Sequence, residues 1–255
     1  MLLGFIGTGE ITSSIVTGLC SSGAATHAIR LSPRNSAIAN ELAGRFHGIS
    51  VASTNQEVVD HSDTIVIAVR PPAARKVLSE LRFRPDHQVI SLVSALKLRS
   101  LCELVAPAAR VARAVPLPSA AKRLSPTAIY PRVAAALEMF AAVGTVFPVD
   151  SENQFDALCA TTATIASYYA FNETITAWLA RQGVAASLAS EYVARLFFGV
   201  TSGAMEAPAR SFKSLAAIHA TAGGINEQFL KRLVAHGLLT EVSEALDAVL
   251  NRTGT

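Results

Sequence analysis

The chain has 255 residues, enough for one large domain or two smaller ones with a sizeable core. Apolar residues make up 51% and charged residues only 16%, so we expect something besides the chain itself to cover part of its apolar area. The net charge of +3 is small and spread out, and no basic tract carries interleaved aromatic residues. Nucleic acid is therefore not a favoured partner, whereas an anionic cofactor or substrate suits the charge.

The start of the chain has the layout of a dinucleotide-binding βαβ unit. A short apolar strand leads into a Gly-rich turn, an amphipathic segment at residues 13–21 and a second strand at residues 26–31. Gly7 can take the tight turn, Gly9 leaves room for a pyrophosphate, and the helix N-terminus offers N–H groups to phosphates. Thr12 replaces the third glycine of the motif. The predicted cofactor contacts in this turn are Gly7, Thr8, Gly9, Glu10 and Ile11.

The tip of the second strand predicts which cofactor binds. Proteins that bind NAD usually place a carboxylate there, to accept hydrogen bonds from the ribose 2′-hydroxyl. This chain has no acidic residue at positions 24–40 and instead carries Ser32, Arg34 and Asn35. A guanidinium with neighbouring donors suits a 2′-phosphate, which a carboxylate would repel. We therefore predict NADP as the cofactor, with Ser32, Arg34 and Asn35 at the phosphate.

Strands and helices alternate up to residue 150, which predicts a Rossmann-type doubly wound α/β sheet. The run 64–69 is continuously apolar and β-branched, as a strand buried on both faces should be. Further strands are predicted at residues 49–52, 88–93, 110–114, 125–130 and 144–149, and helices at 36–46, 55–61, 73–81, 98–104 and 133–143. We assign residues 1–150 to an NADP-binding domain.

The pattern changes beyond residue 150, where only helical segments follow. They are predicted at residues 152–181, 185–207, 226–236 and 240–252. Residues 188–205 are apolar or small on nearly every face, which predicts a helix buried all round. One domain of this size can hardly bury such a helix alone, so we expect a partner subunit. Residues 151–255 are therefore assigned to an all-helical dimerisation and substrate domain, in a homodimer or a multiple of dimers.

Other sequence signals point to a cytoplasmic protein. The first strand begins at Leu2 with no basic leader before it. The apolar run 133–149 is short for a membrane span and contains Glu138, so no membrane partner is expected. Three widely separated cysteines indicate reduced thiols, and neither they nor the six histidines have metal-ligand spacing.

Segments along nearly the whole chain resemble the pyrroline-5-carboxylate reductase family. They are residues 4–9 (GFIGTG), 67–72 (IAVRPP), 91–95 (SLVSA), 113–118 (RAVPLP) and 220–226 (ATAGGIN). The resemblance implies a Rossmann domain followed by a helical domain that interlocks with a second subunit. It implies an NADPH-dependent oxidoreductase of proline biosynthesis, which reduces a cyclic imino acid, pyrroline-5-carboxylate or a close relative, by hydride transfer to C=N.

The resemblance also assigns roles to residues. The turn that contains Ala68, Val69, Arg70 and Pro71 is similar to the family's turn over the nicotinamide. The loop N–H groups of Gly223, Gly224 and Ile225 correspond to those that hold the substrate carboxylate, and Tyr169 keeps the register of a substrate-loop tyrosine. Thr221 and Asn226 are the donors placed at the reacting nitrogen. From the residues themselves, Glu173 is the one carboxylate in the largely apolar part of its predicted helix, residues 157–181, and is a candidate to orient that nitrogen.

Substitutions concentrate in the substrate half of the pattern. Leu117 stands where the family has asparagine, Ala222 replaces the proline of the Pro-Gly-Gly loop, and Asn226 replaces a hydroxyl residue. Two alternatives stay open. A β-hydroxyacid dehydrogenase would need a helix lysine early in the second domain, and residues 150–181 contain none. A non-catalytic NADP-binding sensor or assembly protein would explain the altered substrate loops.

Overall fold

The computed structural model describes residues 2–21, 28–207 and 209–254. The chain divides into two compact units, of which the first extends to Cys159 and the second spans Ala160–Arg252. This division falls inside a helix that begins at Glu152, and the functional boundary assigned at residue 150 stays a prediction. The first two positions of the predicted second strand, 26 and 27, lie outside the described residues.

Within the described residues, eight strands form one sheet in the first unit. They are β1 (Leu2–Ile6), β2 (Ala28–Leu31), β3 (Ile49–Val51), β4 (Thr64–Ile67), β5 (Gln88–Ser91), β6 (Arg110–Val115), β7 (Ser125–Tyr130) and β8 (Gly144–Pro148). Their order across the sheet is β3-β2-β1-β4-β5-β6-β7-β8, and only β6 and β7 pair antiparallel. The chain leaves β1 toward β2 on one side and later adds β4 on the other, which creates the crevice where such sheets bind ligands.

The helices of the first unit are α1 (Glu10–Cys20), α2 (Ser36–Arg45), α3 (Asn55–Asp60), α4 (Pro71–Ser79), α5 (Leu98–Leu104), α6 (Ala134–Ala141) and most of α7 (Glu152–Thr161). Apolar side chains of the sheet alternate between two buried layers, because successive side chains of a strand point to opposite faces. Helices α1, α2 and α6 cover one layer, and α3, α4 and α5 cover the other. All four residues of β4 are buried. The predicted doubly wound sheet is confirmed.

The second unit contains α8 (Thr164–Arg181), α9 (Ala186–Glu206), α10 (Phe212–His219), α11 (Ile225–Ala235) and α12 (Leu238–Gly254). The prediction of one helix over residues 152–181 is wrong, because short-range bonds from Ala163 to Ala160 and from Ile165 to Thr162 separate α7 from α8. The sequence prediction also missed α10, whose N-cap Ser211 accepts a hydrogen bond from the Ser214 N–H at 3.2 Å.

The single chain leaves most of the apolar surface of the second unit exposed. Helix α9 buries only Ala189 and Val193, while the side chain of Phe198 is 76% exposed and that of Phe212 on α10 is 82% exposed. The expectation that residues 188–205 are buried all round is therefore not met by this chain alone. Despite this apolar surface, none of the described helices has the length and hydropathy needed to cross a membrane.

We expect the buried imidazole of His87 to make the protein less stable in mild acid. Its ring is fully buried against Phe83, and its Nδ1 accepts the Arg84 N–H at 3.0 Å. Burial, followed by the nearby Arg84 charge, holds the pKa of His87 below the ordinary value near 6.5. Because the unfolded chain binds this proton more readily, the free energy of unfolding should fall as pH drops from about 6.5 toward the folded pKa.

Urea unfolding at pH 7.5 and at pH 5.5 checks this expectation. His87→Asn keeps a hydrogen-bond acceptor on a short side chain and removes the titration, so its free energy of unfolding should change less between the two pH values. An equal pH dependence in the wild type and in His87→Asn would assign the acid sensitivity to other groups.

Candidate functional site

The Gly-rich turn between β1 and α1 requires glycine at its first position. Gly7 has a φ of +101°, and a Cβ there would lie 2.5 Å from the carbonyl oxygen of Ala68. The Gly7 N–H donates to Ser32 Oγ at 2.8 Å, and Thr12 Oγ1 donates to the Gly7 carbonyl at 2.7 Å. Thr8 Oγ1 donates to the Ser32 carbonyl at 2.9 Å. The bonds to Ser32 fix the turn against the end of β2.

The N-terminus of α1 is open for a phosphate. Gly9 is its N-cap and has no side chain to cap the N–H groups of the first turn. A Cβ at Gly9 would meet no protein atom within 4 Å, which leaves space for a ligand to approach the main chain. Glu10 is the one acidic residue of this turn, and it is exposed.

The tip of β2 presents two of the three predicted donors. Arg34 and Asn35 are exposed, and Asn35 is the N-cap of α2 without a side-chain capping bond. Ser32 differs, because it is 1% exposed and its hydroxyl faces Gly7 and Thr8. Its contacts make Ser32 a brace of the Gly-rich turn, a role that the sequence did not reveal. A bond from Ser32 to a 2′-phosphate stays a prediction.

The segment after β4 completes this edge of the sheet. The Ala68 N–H donates to the Ile6 carbonyl at 2.8 Å, and α4 begins at Pro71 with the exposed Arg70 as its N-cap. Since β1, β2 and β4 are parallel, their carboxyl ends meet at one edge. The structure thus brings together three groups of predicted cofactor contacts, namely residues 7–11, 32–35 and 68–71.

In the second unit, the loop at residues 221–226 forms a helix N-terminus. Gly223 has a φ of +76°, and Gly224 is the N-cap of α11 with its N–H donated to the Thr221 carbonyl at 2.9 Å. A Cβ at Gly224 would lie 2.8 Å from Thr221 Oγ1. The side chains of Thr221, Ile225 and Asn226 are exposed. The loop therefore presents the predicted residues, held close together by tight backbone geometry.

A carboxylate of the chain itself already uses one of the predicted donors. Glu227 Oε2 accepts the Gly223 N–H at 2.9 Å, and Glu227 Oε1 lies 2.8 Å from Lys231 Nζ. The Lys231 hydrogen bond, together with the Gly223 bond, lowers the pKa of Glu227. Sequence reasoning missed Glu227, although a glutamate in the first turn after a Gly-Gly pair is a capping signal.

The last two predicted substrate residues lie on α8. Tyr169 and Glu173 are exposed, and the Tyr169 ring packs edge-on against Tyr168 with centroids 5.5 Å apart. Among the described residues, no hydrogen bond or ring contact joins either of them to the loop at residues 221–226. Their place in a substrate site stays a prediction.

The sheet, its Gly-rich turn and the open end of α1 define a Rossmann-type dinucleotide-binding protein with a helical second unit. Residues 2–95 match the family described as NADP oxidoreductase coenzyme F420-dependent, and residues 152–255 match the family described as pyrroline-5-carboxylate reductase dimerisation. These matches confirm that the chain resembles the pyrroline-5-carboxylate reductase family.

Individual relatives show this similarity along the whole chain. The pyrroline-5-carboxylate reductase of Pseudomonas aeruginosa is 26% identical over 98% of this chain and 95% of its own length. The structure of the Streptococcus pyogenes reductase has a TM-score of 0.87 at 24% identity, over 99% of this chain and 98% of that one. The Plasmodium falciparum reductase, solved with NADP bound, has a TM-score of 0.84 at 19% identity, with 99% and 97% covered.

Proposed function

We propose that the protein is an NADPH-dependent reductase of a cyclic imino acid, pyrroline-5-carboxylate or a close relative, in proline biosynthesis. The observation that carries the proposal is the pairing of the Gly-rich turn with a strand tip that has no acid and presents Arg34, in a chain similar to this family. Residues 1–150 are proposed as the cofactor domain, and residues 151–255 as the substrate and dimerisation domain.

The described residues fit NADP(H) in shape and charge. The main chain at Gly9 and the open end of α1 suit the pyrophosphate, and Arg34 with Asn35 suits the 2′-phosphate. NADPH, when bound, supplies the hydride from its nicotinamide ring. The other proposed cofactor contacts are Gly7, Thr8, Glu10, Ile11, Ser32, Ala68, Val69, Arg70 and Pro71.

The reaction needs the protein mainly to bind the imine and to orient it for hydride transfer. A protonated C=N accepts hydride at carbon, the π pair becomes the nitrogen lone pair, and the nitrogen keeps its proton. Thr221 and Asn226 are proposed to hold this nitrogen by hydrogen bonds. The loop N–H groups before and at the start of α11 are proposed to hold the carboxylate. The remaining proposed substrate residues are Tyr169, Glu173, Gly223, Gly224 and Ile225.

We further propose that the protein is a homodimer or a multiple of dimers. The match to a dimerisation family supports assembly, and so does the exposed apolar surface of the second unit. A groove of about 1020 Å³ between α9 and α10, lined by Leu196, Val200 and Phe212 among others, offers a place for apolar side chains of a second copy.

A cytoplasmic location is proposed from the cysteines. Among the described residues they form no disulfide, and burial raises the pKa of the Cys159 thiol to about 12, which disfavours its oxidation.

Two measurements together test the activity. NADPH consumption should be followed with pyrroline-5-carboxylate, its six-membered-ring analogue and carboxylate-free pyrroline, and NADPH binding by nucleotide fluorescence. We expect saturable turnover of at least one imino acid. NADPH binding without turnover of any imine would support the non-catalytic alternative, and NADP⁺ reduction by a β-hydroxyacid would support a dehydrogenase.

Glu227 should weaken the binding of a carboxylate substrate. Its carboxylate holds the Gly223 N–H and places a negative charge at the end of α11. Glu227→Ala should therefore lower the KM for an imino acid by about two- to fivefold, the effect of about 0.3–1 kcal/mol for a charge at a helix end. The KM for carboxylate-free pyrroline should not change. Glu241→Ala, in the first turn of α12, is the matched control. A higher KM in Glu227→Ala would mean that Glu227 supports the loop instead.

A further inference from the structure

A fully buried arginine lies next to the carboxyl edge of the sheet. Arg113 on β6 has a side chain with 0% exposure. Its Nη1 donates to Glu152 Oε1 at 2.6 Å and to Asp156 Oδ1 at 3.0 Å, both on α7. Its Nη2 donates to the carbonyl of Ser94 at 2.6 Å, and its Cζ lies 4.4 Å from the centroid of the Phe155 ring. One guanidinium thus joins β6, α7 and the segment after β5.

A second cation completes this cluster. Lys97 Nζ lies 2.6 Å from Asp156 Oδ2, and Glu152 Oε1 also accepts the Leu98 N–H at 2.6 Å. Two cations face two carboxylates, so their formal charges cancel. Buried ion pairs add little net stability over apolar packing, because desolvation offsets their attraction. The value of the Arg113 cluster therefore lies in the geometry that it fixes.

The Arg113 cluster holds the middle of residues 92–96, the segment that connects β5 to α5. The Leu92 N–H donates to the Ile67 carbonyl at 2.8 Å and so continues the sheet for one more residue. Beyond that point the Ser94 carbonyl turns to Arg113, and within the described residues this is the one hydrogen bond recorded for it. The two ends of the segment have other contacts, because the Val93 N–H donates to Ser91 Oγ at 3.2 Å and Val93 and Leu96 are buried. The guanidinium therefore sets the peptide at Ser94, in the middle of the segment.

Residues 92–96 border the proposed nicotinamide half of the cofactor. The pyrophosphate is proposed at the α1 end of β1, and the 2′-phosphate at the tip of β2. A dinucleotide has one nucleoside on each side of its pyrophosphate. The strand order β2-β1-β4-β5 then puts the nicotinamide nucleoside beyond the carboxyl ends of β4 and β5.

We infer that Arg113 is a positioning residue for the nicotinamide half of NADP(H), acting through the main chain of residues 92–96. The inference rests on the proposed function. The planar guanidinium donates from Nη1 to the Glu152 and Asp156 carboxylates and from Nη2 to the Ser94 carbonyl. A lysine ammonium keeps the positive charge but lacks the two separate nitrogen atoms that reach the carboxylates and the carbonyl.

A comparison of two ligands tests the inference. NADP⁺ contains the nicotinamide nucleoside, whereas 2′,5′-ADP contains only the adenosine half with its 2′-phosphate. In Arg113→Lys and Arg113→Gln, the Kd of NADP⁺ should rise by about fivefold, the size of one ordinary hydrogen bond, and that of 2′,5′-ADP should stay within twofold. The kcat at saturating NADPH should fall by about tenfold or more, since misplacing reacting groups is costly.

Two further variants keep the result interpretable. Arg132→Ala breaks an exposed ion pair with Asp150 and should change neither Kd. The double variant Arg113→Gln/Asp156→Asn keeps the cluster neutral, and it should show the same split between ligands if Arg113→Gln alone fails to fold.

The possible outcomes distinguish a failure of the inference from a failure of the proposed function. Equal losses for both ligands would show that Arg113 supports the whole unit, and unchanged Kd values for both would show that residues 92–96 hold their place without it; either result overturns the inference. A wild type that binds NADP⁺ but reduces no imine would refute the proposed function, while the ligand comparison would still decide the role of Arg113. A wild type that binds neither ligand would overturn both.

Discussion

Gly7→Ala should weaken NADPH binding by about a hundredfold and lower the free energy of unfolding by about 1–3 kcal/mol. Alanine at a φ of +101° is strained, and its Cβ would lie 2.5 Å from the Ala68 carbonyl oxygen and 2.7 Å from the carbonyl carbon. Ala68 cannot yield easily, because its N–H is bonded to the Ile6 carbonyl at 2.8 Å. Relief of the clash must therefore move the turn, which removes the N–H groups from their phosphate geometry.

Gly9→Ala is the matched control for this prediction. Gly9 has a φ of −112°, and a Cβ there touches no protein atom within 4 Å. The variant should unfold at the same urea concentration as the wild type, yet bind NADPH more weakly, because the added methyl group lies where the pyrophosphate approaches. NADPH fluorescence titration and urea unfolding measure the two effects. Full NADPH affinity in Gly7→Ala would contradict the assigned role of the turn.

The sheet could be predicted from the sequence because its signals are local. A strand buried on both faces is a continuous apolar run, as residues 64–67 are, and glycines or prolines mark where such runs end. The open end of α1 followed from the same short stretch. Strand and helix bounds differ from the predictions by a few residues, since helix ends depend on capping bonds that composition does not fix.

Contacts between distant residues could not be predicted. Ser32 looked like a ligand donor, but its hydroxyl accepts the N–H of Gly7, in the turn after the neighbouring strand β1. Arg113 was recognised only as part of a motif, and its partners Glu152 and Asp156 come from a helix that begins 39 positions later. Neither contact has a periodic pattern in the sequence, so only the folded chain shows it.

The helical unit was predicted less well for a different reason. Apolar residues on every face of α9 indicate burial, but the pattern does not say which chain provides the cover. Within this chain α9 buries two residues, and its remaining apolar side chains are exposed or only partly buried. The signal for α10 was similarly weak, because a short helix after Ser211 has one capping residue and little periodicity.

Arg34→Ala should weaken NADPH binding by about ten- to hundredfold, the effect of about 1.5–3 kcal/mol for hydrogen bonds to a charged group. The guanidinium is exposed at the tip of β2, and within the described residues it has no ion pair of its own to satisfy. It is therefore available to a 2′-phosphate. NADH lacks that phosphate, so its Kd should change by less than about twofold, within the scatter for surface substitutions.

Arg45→Ala controls for the loss of one positive charge. Arg45 lies in the last turn of the same helix, α2, over the ring of Phe46, and its removal should leave both Kd values unchanged. Salt gives a second check: an exposed pair is screened, so the gap between Arg34→Ala and the wild type should narrow as ionic strength rises. If Arg34→Ala weakened the binding of NADH as much as that of NADPH, Arg34 would contact a part that both cofactors share. A preference for NADPH would then have to come from other residues at the tip of β2.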